Sequence, residues 1–231
     1  MAEAKLKVEL IAVTPQADST AATAAHLCYA GISISDLKKK VTPDYAKRLV
    51  KNLIDSGHLS PLEHVSFTFA IEGISRACSH QLVRHRIASH SQQSQRYVKE
   101  TGFNFIVPHS IKENKQALLV FNESIEQSKK AYNELLKTVP AEDARFVLPN
   151  ACETRIIVTM NTRSLYNFFE RRLCARAQWE IRQLAEEMFR LCKQAAPLLF
   201  ENSGPICEKL GYCPERETCG RKPLRKDVIK E

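Results

Sequence analysis

The sequence predicts an α+β fold: a single domain in which a small, mostly antiparallel sheet is packed by helices, one of them long. Residues 64–72 and 154–160 show the alternation and β-branched enrichment of strands, whereas most of the intervening chain shows helical periodicity. Strands that are few and irregularly spaced among helices favour α+β over a doubly wound sheet. The 231 residues, 44% of them hydrophobic, suffice for one well-buried core.

The strands are predicted from period-2 patterns. Apolar residues alternate with Ser66, Thr68 and Ala70 from residue 64 to 72, and Gly73 is expected to end this strand. Residues 154–160 are rich in β-branched side chains, which favour a second strand. Residues 104–107, just before Pro108, suggest a third, short strand.

Helices are predicted from caps and 3.6-residue periodicity. Thr42 and Pro43 have the residue types of an N-cap and a first helical position, and Gly57 ends that helix. Ser75 caps a second helix. Three further segments have an apolar helical face: residues 112–139, which end before Pro140, residues 162–172 and residues 177–195.

The most informative stretch is residues 84–97, which contains three arginines, two histidines and a series of Ser and Gln side chains. Arg84, His85 and Arg86 should lie at the C-terminal end of the helix capped by Ser75, where cations are favourable, with the Ser/Gln series in the loop beyond. Guanidinium groups bind phosphate or carboxylate bidentately, and Ser and Gln offer donors and acceptors to a base or sugar. The pattern indicates a docking surface for a planar anionic ligand, although a solvated basic loop is the simpler alternative.

Charge and glycine usage limit the ligand classes. The 34 Lys and Arg against 26 Asp and Glu give a net charge of +8, which favours nucleotides, folates, phosphorylated cofactors or nucleic acid. None of the seven glycines forms G-x-G-x-x-G or a Walker A loop, so side chains must hold any nucleotide. Aromatic residues are not interleaved with the basic ones and no nucleic-acid-binding module is recognisable, so we expect no nucleic acid partner.

The eight cysteines are scattered, and the N-terminus lacks an apolar secretory core, so we expect reduced thiols and a cytoplasmic protein. No apolar run has the length of a membrane span, and we expect no membrane partner. Cys207, Cys213 and Cys219 are spaced too widely for the paired C-x-x-C of structural zinc sites. These three cysteines and the basic residues 221–226 form a C-terminal tail without an assigned role.

Two catalytic alternatives are weak. Five of the seven histidines lie within residues 58–90, which raises the hypothesis of a metal-dependent hydrolase, but H-E-x-x-H and comparable spacings are absent, and we expect no metal. Ser94 has no G-x-S-x-G elbow and no identifiable base, so we expect it to contact a ligand rather than act as a nucleophile.

The chain resembles the flavin-dependent thymidylate synthases in several blocks. Arg84, His85 and Arg86, followed after seven residues by Ser94, match the R-H-R-x7-S signature of that family. Residues 58–64, 145–149, 161–172 and 177–180 resemble further family blocks in the same order, so that the likeness is strongest over residues 28–190. Residues 196–231 fall outside it.

The resemblance implies a homotetramer with active sites at subunit interfaces that methylates dUMP to dTMP. FAD would carry the hydride, NADPH would be the reductant and methylenetetrahydrofolate the carbon donor, so that the flavin does the hard chemistry. In the family no enzyme cysteine or serine need attack the uracil. Positioning and charge stabilisation are then the protein's share.

Site residues carry over from the matching blocks. Those expected at FAD are Ser60, Arg84, His85, Arg86, Gln92, Asn161, Arg163 and Asn167. Those expected at dUMP are Gln81, Arg84, Gln92, Gln93, Ser94, Gln95, Arg96, Arg145 and Arg172. By the family pattern Arg172 is the catalytic residue, because its charge would stabilise negative charge developing at N3 of the uracil.

Structural roles compete with some of these assignments. Arg145 would also serve as a cap of the preceding helix, and Asn161 as the N-cap of the helix that follows it. Arg163 would be merely a residue of the helix surface; Glu170, seven residues further on, is too far along the helix to contact it directly. The chain also departs from the family pattern. Some members carry an acid at Gln92, a serine near Cys28 and a histidine at Arg176, and neither Cys28 nor Arg176 is assigned to the site.

Overall fold

A computed structural model describes residues 3–229 and confirms the α+β fold. The described chain has a small antiparallel sheet of four strands in the order β1-β2-β4-β3. The strands are β1 (Lys7–Val13), β2 (Ser66–Ser75), β3 (Ser89–Gln92) and β4 (Glu153–Asn161).

Helices make up most of the rest of the described chain, and two short 3₁₀ helices, Ser60–His64 and Arg145–Val147, add to them. Those before residue 136 are α1 (Ala17–Leu27), α2 (Ile34–Lys40), α3 (Pro43–Asp55), α4 (Arg76–Leu82), α5 (His109–Lys112) and α6 (Lys115–Leu135). Those after it are α7 (Ala141–Ala144), α8 (Thr162–Arg172), α9 (Trp179–Ala195), α10 (Pro197–Phe200), α11 (Ile206–Leu210) and α12 (Arg225–Val228). None of the helices within residues 3–229 is long and apolar enough to cross a membrane.

The described residues form two compact units. The first unit comprises residues 3–7, 70–84 and 90–157, and the second comprises residues 8–69, 85–89 and 158–229. In the first unit Phe103, Ile125 and Cys152 form a buried cluster. In the second unit the ring of Phe200 packs edge-on against Phe67 and Phe169, with centroids 5.4 and 5.9 Å apart. The single-domain organisation stays a prediction.

Several predicted elements are confirmed with their caps. The Thr42 side chain accepts a hydrogen bond from Tyr45 N at the start of α3, and Gly57 follows this helix with φ +74°. The Ser75 hydroxyl accepts from Cys78 N at the start of α4. Strand β4 and helices α8 and α9 lie where the sequence places them, because their apolar periodicity matches their buried faces.

The prediction that Gly73 ends the strand predicted over residues 64–72 was wrong. Strand β2 continues to Ser75, and Gly73 has φ +72° within it. A Cβ at this position would lie 1.9 Å from the carbonyl oxygen of Lys5. Glycine therefore permits a close approach of two backbone segments here rather than ending the strand.

Two boundaries in the middle of the chain also differ. Asn114 caps α6, which ends at Leu135, so the helix is shorter than the predicted 112–139. Residues 104–107 form no strand; Phe105 alone makes isolated bridges, to Glu3 and to Cys152. Sequence periodicity cannot tell an isolated bridge, in which a single residue pairs, from a short strand.

The Ser/Gln series does not lie wholly in a loop. Residues 89–92 form β3, next to β4 in the sheet, and Gln93 N donates to Arg155 O at 2.9 Å. Strand β3 was not predicted because Ser, His and Gln give no apolar alternation, and backbone pairing supplies the order instead. Strand β1 was not predicted either, although the β-branched and aliphatic residues among 8–13 were a usable signal.

Candidate active site

Gln92 lies in a closed polar network within the first unit. Its Nε2 donates to Ser79 Oγ at 2.9 Å and to Thr154 Oγ1 at 3.0 Å, and both hydroxyl residues are buried. The Ser79 hydroxyl in turn donates to Arg76 O at 2.9 Å, and Arg76 Nη1 reaches Thr154 Oγ1 at 3.4 Å. Since the Ser79 hydroxyl donates its single proton to Arg76 O, its contact with residue 92 requires a donor there.

A cavity of about 220 Å³ in the first unit is lined by two of the residues predicted to contact the nucleotide, Gln95 and Arg145. Gln95 is buried and its Nε2 approaches Cys152 Sγ at 3.8 Å. The Arg145 Nε donates to Glu142 O at 3.0 Å, so the capping role considered for this arginine is observed. Capping occupies one donor of the guanidinium and leaves its charge at the cavity wall.

The Cys152 thiol beside Gln95 is not suited to attack a substrate. Burial, with a smaller contribution from the nearby Glu100 carboxylate, raises its pKa to about 12. The thiol is therefore protonated at neutral pH, and only the thiolate is an effective nucleophile.

Arg76 and His80 line the same cavity and were missed by the sequence reading. Burial lowers the pKa of the half-buried Arg76 guanidinium, whose charge thus lies in a poorly solvated place. A signal was available: Arg76 is the first residue of α4, where a cation opposes the helix dipole. A residue at such an unfavourable position is a candidate for a functional role.

The remaining residues predicted at dUMP are more exposed. Arg96 Nε pairs with Glu142 Oε2 at 2.8 Å, and Ser94 Oγ accepts from Arg96 N at 3.2 Å, which engages this hydroxyl within its own loop. Gln81 and Gln93 are half-buried. Arg84 is exposed, and its guanidinium has no hydrogen-bond or ion-pair partner within residues 3–229.

In the second unit Arg172 and His85 contact each other directly. Arg172 is the last residue of α8, and its Nε donates to His85 Nε2 at 3.1 Å. Because a guanidinium only donates, Nε2 must be unprotonated, and hydrogen-bond logic places the imidazole proton on Nδ1. The His85 ring also packs edge-on against Phe168, with centroids 4.8 Å apart. The pair thus fixes the orientation of the predicted catalytic arginine.

Three predicted flavin residues lie at the N-terminal half of α8. Asn161 is the N-cap, with Oδ1 accepting from Ser164 N at 2.8 Å, which confirms its structural role. Arg163 Nη1 pairs with Glu63 Oε1 at 2.6 Å, so its partner lies on the 3₁₀ helix 60–64. Asn167, one turn after Arg163 on the same helix face, is exposed.

The last two predicted flavin residues are exposed. Ser60 is the first residue of the 3₁₀ helix 60–64. The Arg86 guanidinium has no hydrogen-bond or ion-pair partner in the described part of the chain. The predicted residues therefore fall into a group in the first unit that comprises Gln81, Arg84, Gln92, Gln93, Ser94, Gln95, Arg96 and Arg145, and a group in the second that comprises Ser60, His85, Arg86, Asn161, Arg163, Asn167 and Arg172.

Exposed arginines and amides of this kind are suited to the phosphate groups and polar edges of a nucleotide. The family model described as "Thymidylate synthase complementing protein" matches residues 9–198. The chain is 50% identical to a flavin-dependent thymidylate synthase of Geobacter sulfurreducens, over 98% of this chain and 99% of the relative. It is 46% identical to the enzyme of that name from Clostridium tetani, over 96% of each chain, and 42% identical to that of Pyrococcus abyssi, over 92% and 91%. The chain belongs to the flavin-dependent thymidylate synthase family and is an enzyme.

Proposed function

We propose that the chain methylates dUMP reductively to dTMP, with methylenetetrahydrofolate as carbon donor, FAD as hydride carrier and NADPH as reductant. The proposal rests on membership of the family, whose relatives are named for flavin-dependent thymidylate synthesis. The structural observation that supports it most is the Arg172–His85 hydrogen bond of 3.1 Å. It gives the predicted activating charge a defined orientation.

The residues present fit a flavin nucleotide. FAD carries a diphosphate and a ring edge rich in acceptors, which call for cations and neutral donors. Arg84 and Arg86 offer exposed guanidinium groups, Ser60 a hydroxyl and Asn167 an exposed amide. Arg163 would contribute through the edge not used by Glu63, and Asn161 through its amide nitrogen, because its Oδ1 caps α8. When bound, FAD would supply the reducing equivalents.

Arg172 would stabilise charge on the uracil. A fixed cation near N3 would lower the energy of negative charge that develops there, and so polarise the ring for attack through C5. Arg172 is half-buried, so its charge is less screened than that of a surface arginine. His85 would keep the guanidinium in place, which avoids a reorganisation cost at the moment of reaction.

The group in the first unit would bind the substrate. Arg96 and Arg145 would meet the phosphate, and Gln81, Gln93, Ser94 and Gln95 would contact sugar and base through side chains or backbone. Arg76 and His80 join this proposal because they line the cavity that contains Gln95 and Arg145. A covalent enzyme nucleophile is not part of the mechanism, which agrees with the raised pKa of Cys152.

Flavin binding is the first test. We expect purified protein to bind one FAD per chain and its flavin absorbance to bleach when NADPH is added without air. Arg86→Ala should weaken FAD binding, whereas the control Arg48→Ala, on α3, should not. A preparation that cannot be reconstituted with FAD would refute the proposal.

A cytoplasmic homotetramer with active sites at subunit interfaces completes the proposal. Leu119 and Val120 on α6 are each 58% exposed, and large apolar side chains exposed side by side favour a subunit interface at this surface. Light scattering after size exclusion should give four times the chain mass of 26.2 kDa. A monomer at micromolar concentration would contradict this assembly.

A further inference from the structure

The C-terminal tail, which lies beyond residues 9–198 matched by the family model, is an ordered part of the second unit. Gly211, with φ +75°, ends α11, and Cys213 N then donates to Pro223 O at 2.6 Å. Within this loop Thr218 Oγ1 donates to Lys222 O at 2.6 Å. Cys207 and Cys213 are buried. Hydrogen bonds within the tail therefore hold its loop together.

Two arginines tie this tail to the turn that follows α8. From the turn, Arg176 Nη1 donates to Glu217 O at 2.9 Å; from the tail, Arg221 Nη1 donates to Leu173 O at 3.1 Å. We call these two bonds the arginine clamp. Each joins a charged donor to a backbone carbonyl, which is stronger than a neutral pair.

The clamp acts next to the predicted catalytic residue. Leu173, whose carbonyl accepts from Arg221, directly follows Arg172 and is the C-cap of α8. Carbonyls at a helix C-terminus lack intrahelical partners, so the end of a helix frays unless other groups bind them. A cavity of about 520 Å³ is lined by Arg172, by the turn and by the tail. Solvent in this cavity would compete for the carbonyls at the end of α8 if Arg221 did not bind Leu173 O.

We infer that Arg221 is a positioning residue for Arg172. By holding Leu173 O it keeps the last turn of α8 formed and restricts the backbone from which Arg172 reaches His85. The inference rests on the proposed function, in which Arg172 acts on the uracil. Arg221 is exposed, so its effect on global stability is small, and its contribution lies in local order.

The effect is measured in turnover and in local amide exchange. Loss of one charge-assisted hydrogen bond should lower kcat roughly fivefold in Arg221→Ala while the midpoint of thermal unfolding moves by less than about 3 °C. Amides of residues 172–177 should exchange faster with solvent deuterium. Arg221→Lys, which retains a cationic donor, should recover part of both. Arg216→Ala is the matched control, because Arg216 is an exposed arginine of the same tail without a described side-chain partner.

A double-mutant cycle separates positioning from a general structural effect. In the Arg172→Ala background, Arg221→Ala should cause no further loss of single-turnover rate, since the residue that it positions is gone. An equal loss in both backgrounds, or amide exchange at residues 172–177 that matches Arg216→Ala, would overturn the inference. Wild-type protein that forms no dTMP would instead refute the proposed function, while the exchange measurement would still decide whether Arg221 orders the turn.

Discussion

The Nε of Arg172 donates to Nε2 of His85 at 3.1 Å, so the histidine of the R-H-R signature holds the arginine at the end of α8. These two residues are 87 positions apart in the chain. The signature therefore supplies a contact within the protein as well as the ligand contacts proposed for its arginines. Its histidine is an acceptor, and only the neutral imidazole provides one.

His85→Phe tests this acceptor role. Phenylalanine removes the acceptor but retains a ring that can pack edge-on against Phe168, as the imidazole does at 4.8 Å. Loss of the hydrogen bond should lower kcat roughly five- to tenfold with FAD still bound. His85→Gln, which keeps an acceptor oxygen, should lose less, and equal losses in the two variants would argue against the hydrogen bond. Steady-state assays with a flavin titration of each variant give the answer.

Gln92→Glu tests the polar network around Thr154. A carboxylate cannot donate to Ser79 Oγ or Thr154 Oγ1 as the amide does at 2.9 and 3.0 Å. Ser79 already donates its proton to Arg76 O, so the change leaves buried groups unsatisfied. We expect a loss of about 1–3 kcal/mol in the free energy of unfolding, measured by chemical denaturation. Gln116→Glu, at an exposed position of α6, should be nearly neutral; unchanged stability in Gln92→Glu would contradict the network.

His90 should make the fold sensitive to mild acid. Burial lowers its pKa below the usual 6.5, and its Nε2 is buried without a hydrogen-bond partner within residues 3–229. The unfolded chain then takes up the proton first, so the stability contributed by neutral His90 is present above about pH 6.5 and is lost as the pH falls through the lower folded-state pKa. Melting temperatures at about pH 7.5 and 5.5 should differ less in His90→Gln than in wild type. The exposed control His58→Gln should behave like wild type, and a wild-type-like slope in His90→Gln would disprove the assignment.

Gly73→Ala should damage the fold of the first unit. Its Cβ would lie 1.9 Å from Lys5 O, and φ of +72° is itself unfavourable for alanine. One of the two backbones must move, and we expect a loss of at least about 3 kcal/mol or failure to fold. Gly102→Ala is the control, because nothing lies within 4 Å of a Cβ there. Equal stability of the two variants by thermal unfolding would contradict the close approach.

Local signals predicted much of the fold. Strand β2 follows from its alternation, and helices α4 and α8 follow from the caps Ser75 and Asn161, since these features depend on neighbours within about four residues. Strand β3 did not follow, because its polar residues are ordered by pairing with β4, more than 60 positions away.

The candidate site was predicted as a set of residues but not as an arrangement. The family blocks pointed to Arg172 and His85 separately, whereas their hydrogen bond depends on tertiary packing. The network of Gln92 and the capping of α8 by Arg221 from the tail likewise join distant segments. Arg76 shows that a local signal, a cation at a helix N-terminus, went unused.

The most direct test of the central claim is transfer of the labelled methylene carbon of methylenetetrahydrofolate to dUMP, measured as labelled dTMP in anaerobic single turnovers with FAD and NADPH. Wild-type protein should form dTMP only when all four components are present. Arg172→Ala should be slower by roughly a hundredfold or more while FAD stays bound, and Arg171→Ala, on the neighbouring exposed position, should stay near wild type. Absence of labelled dTMP with FAD bound, or near-normal turnover in Arg172→Ala, would contradict the account.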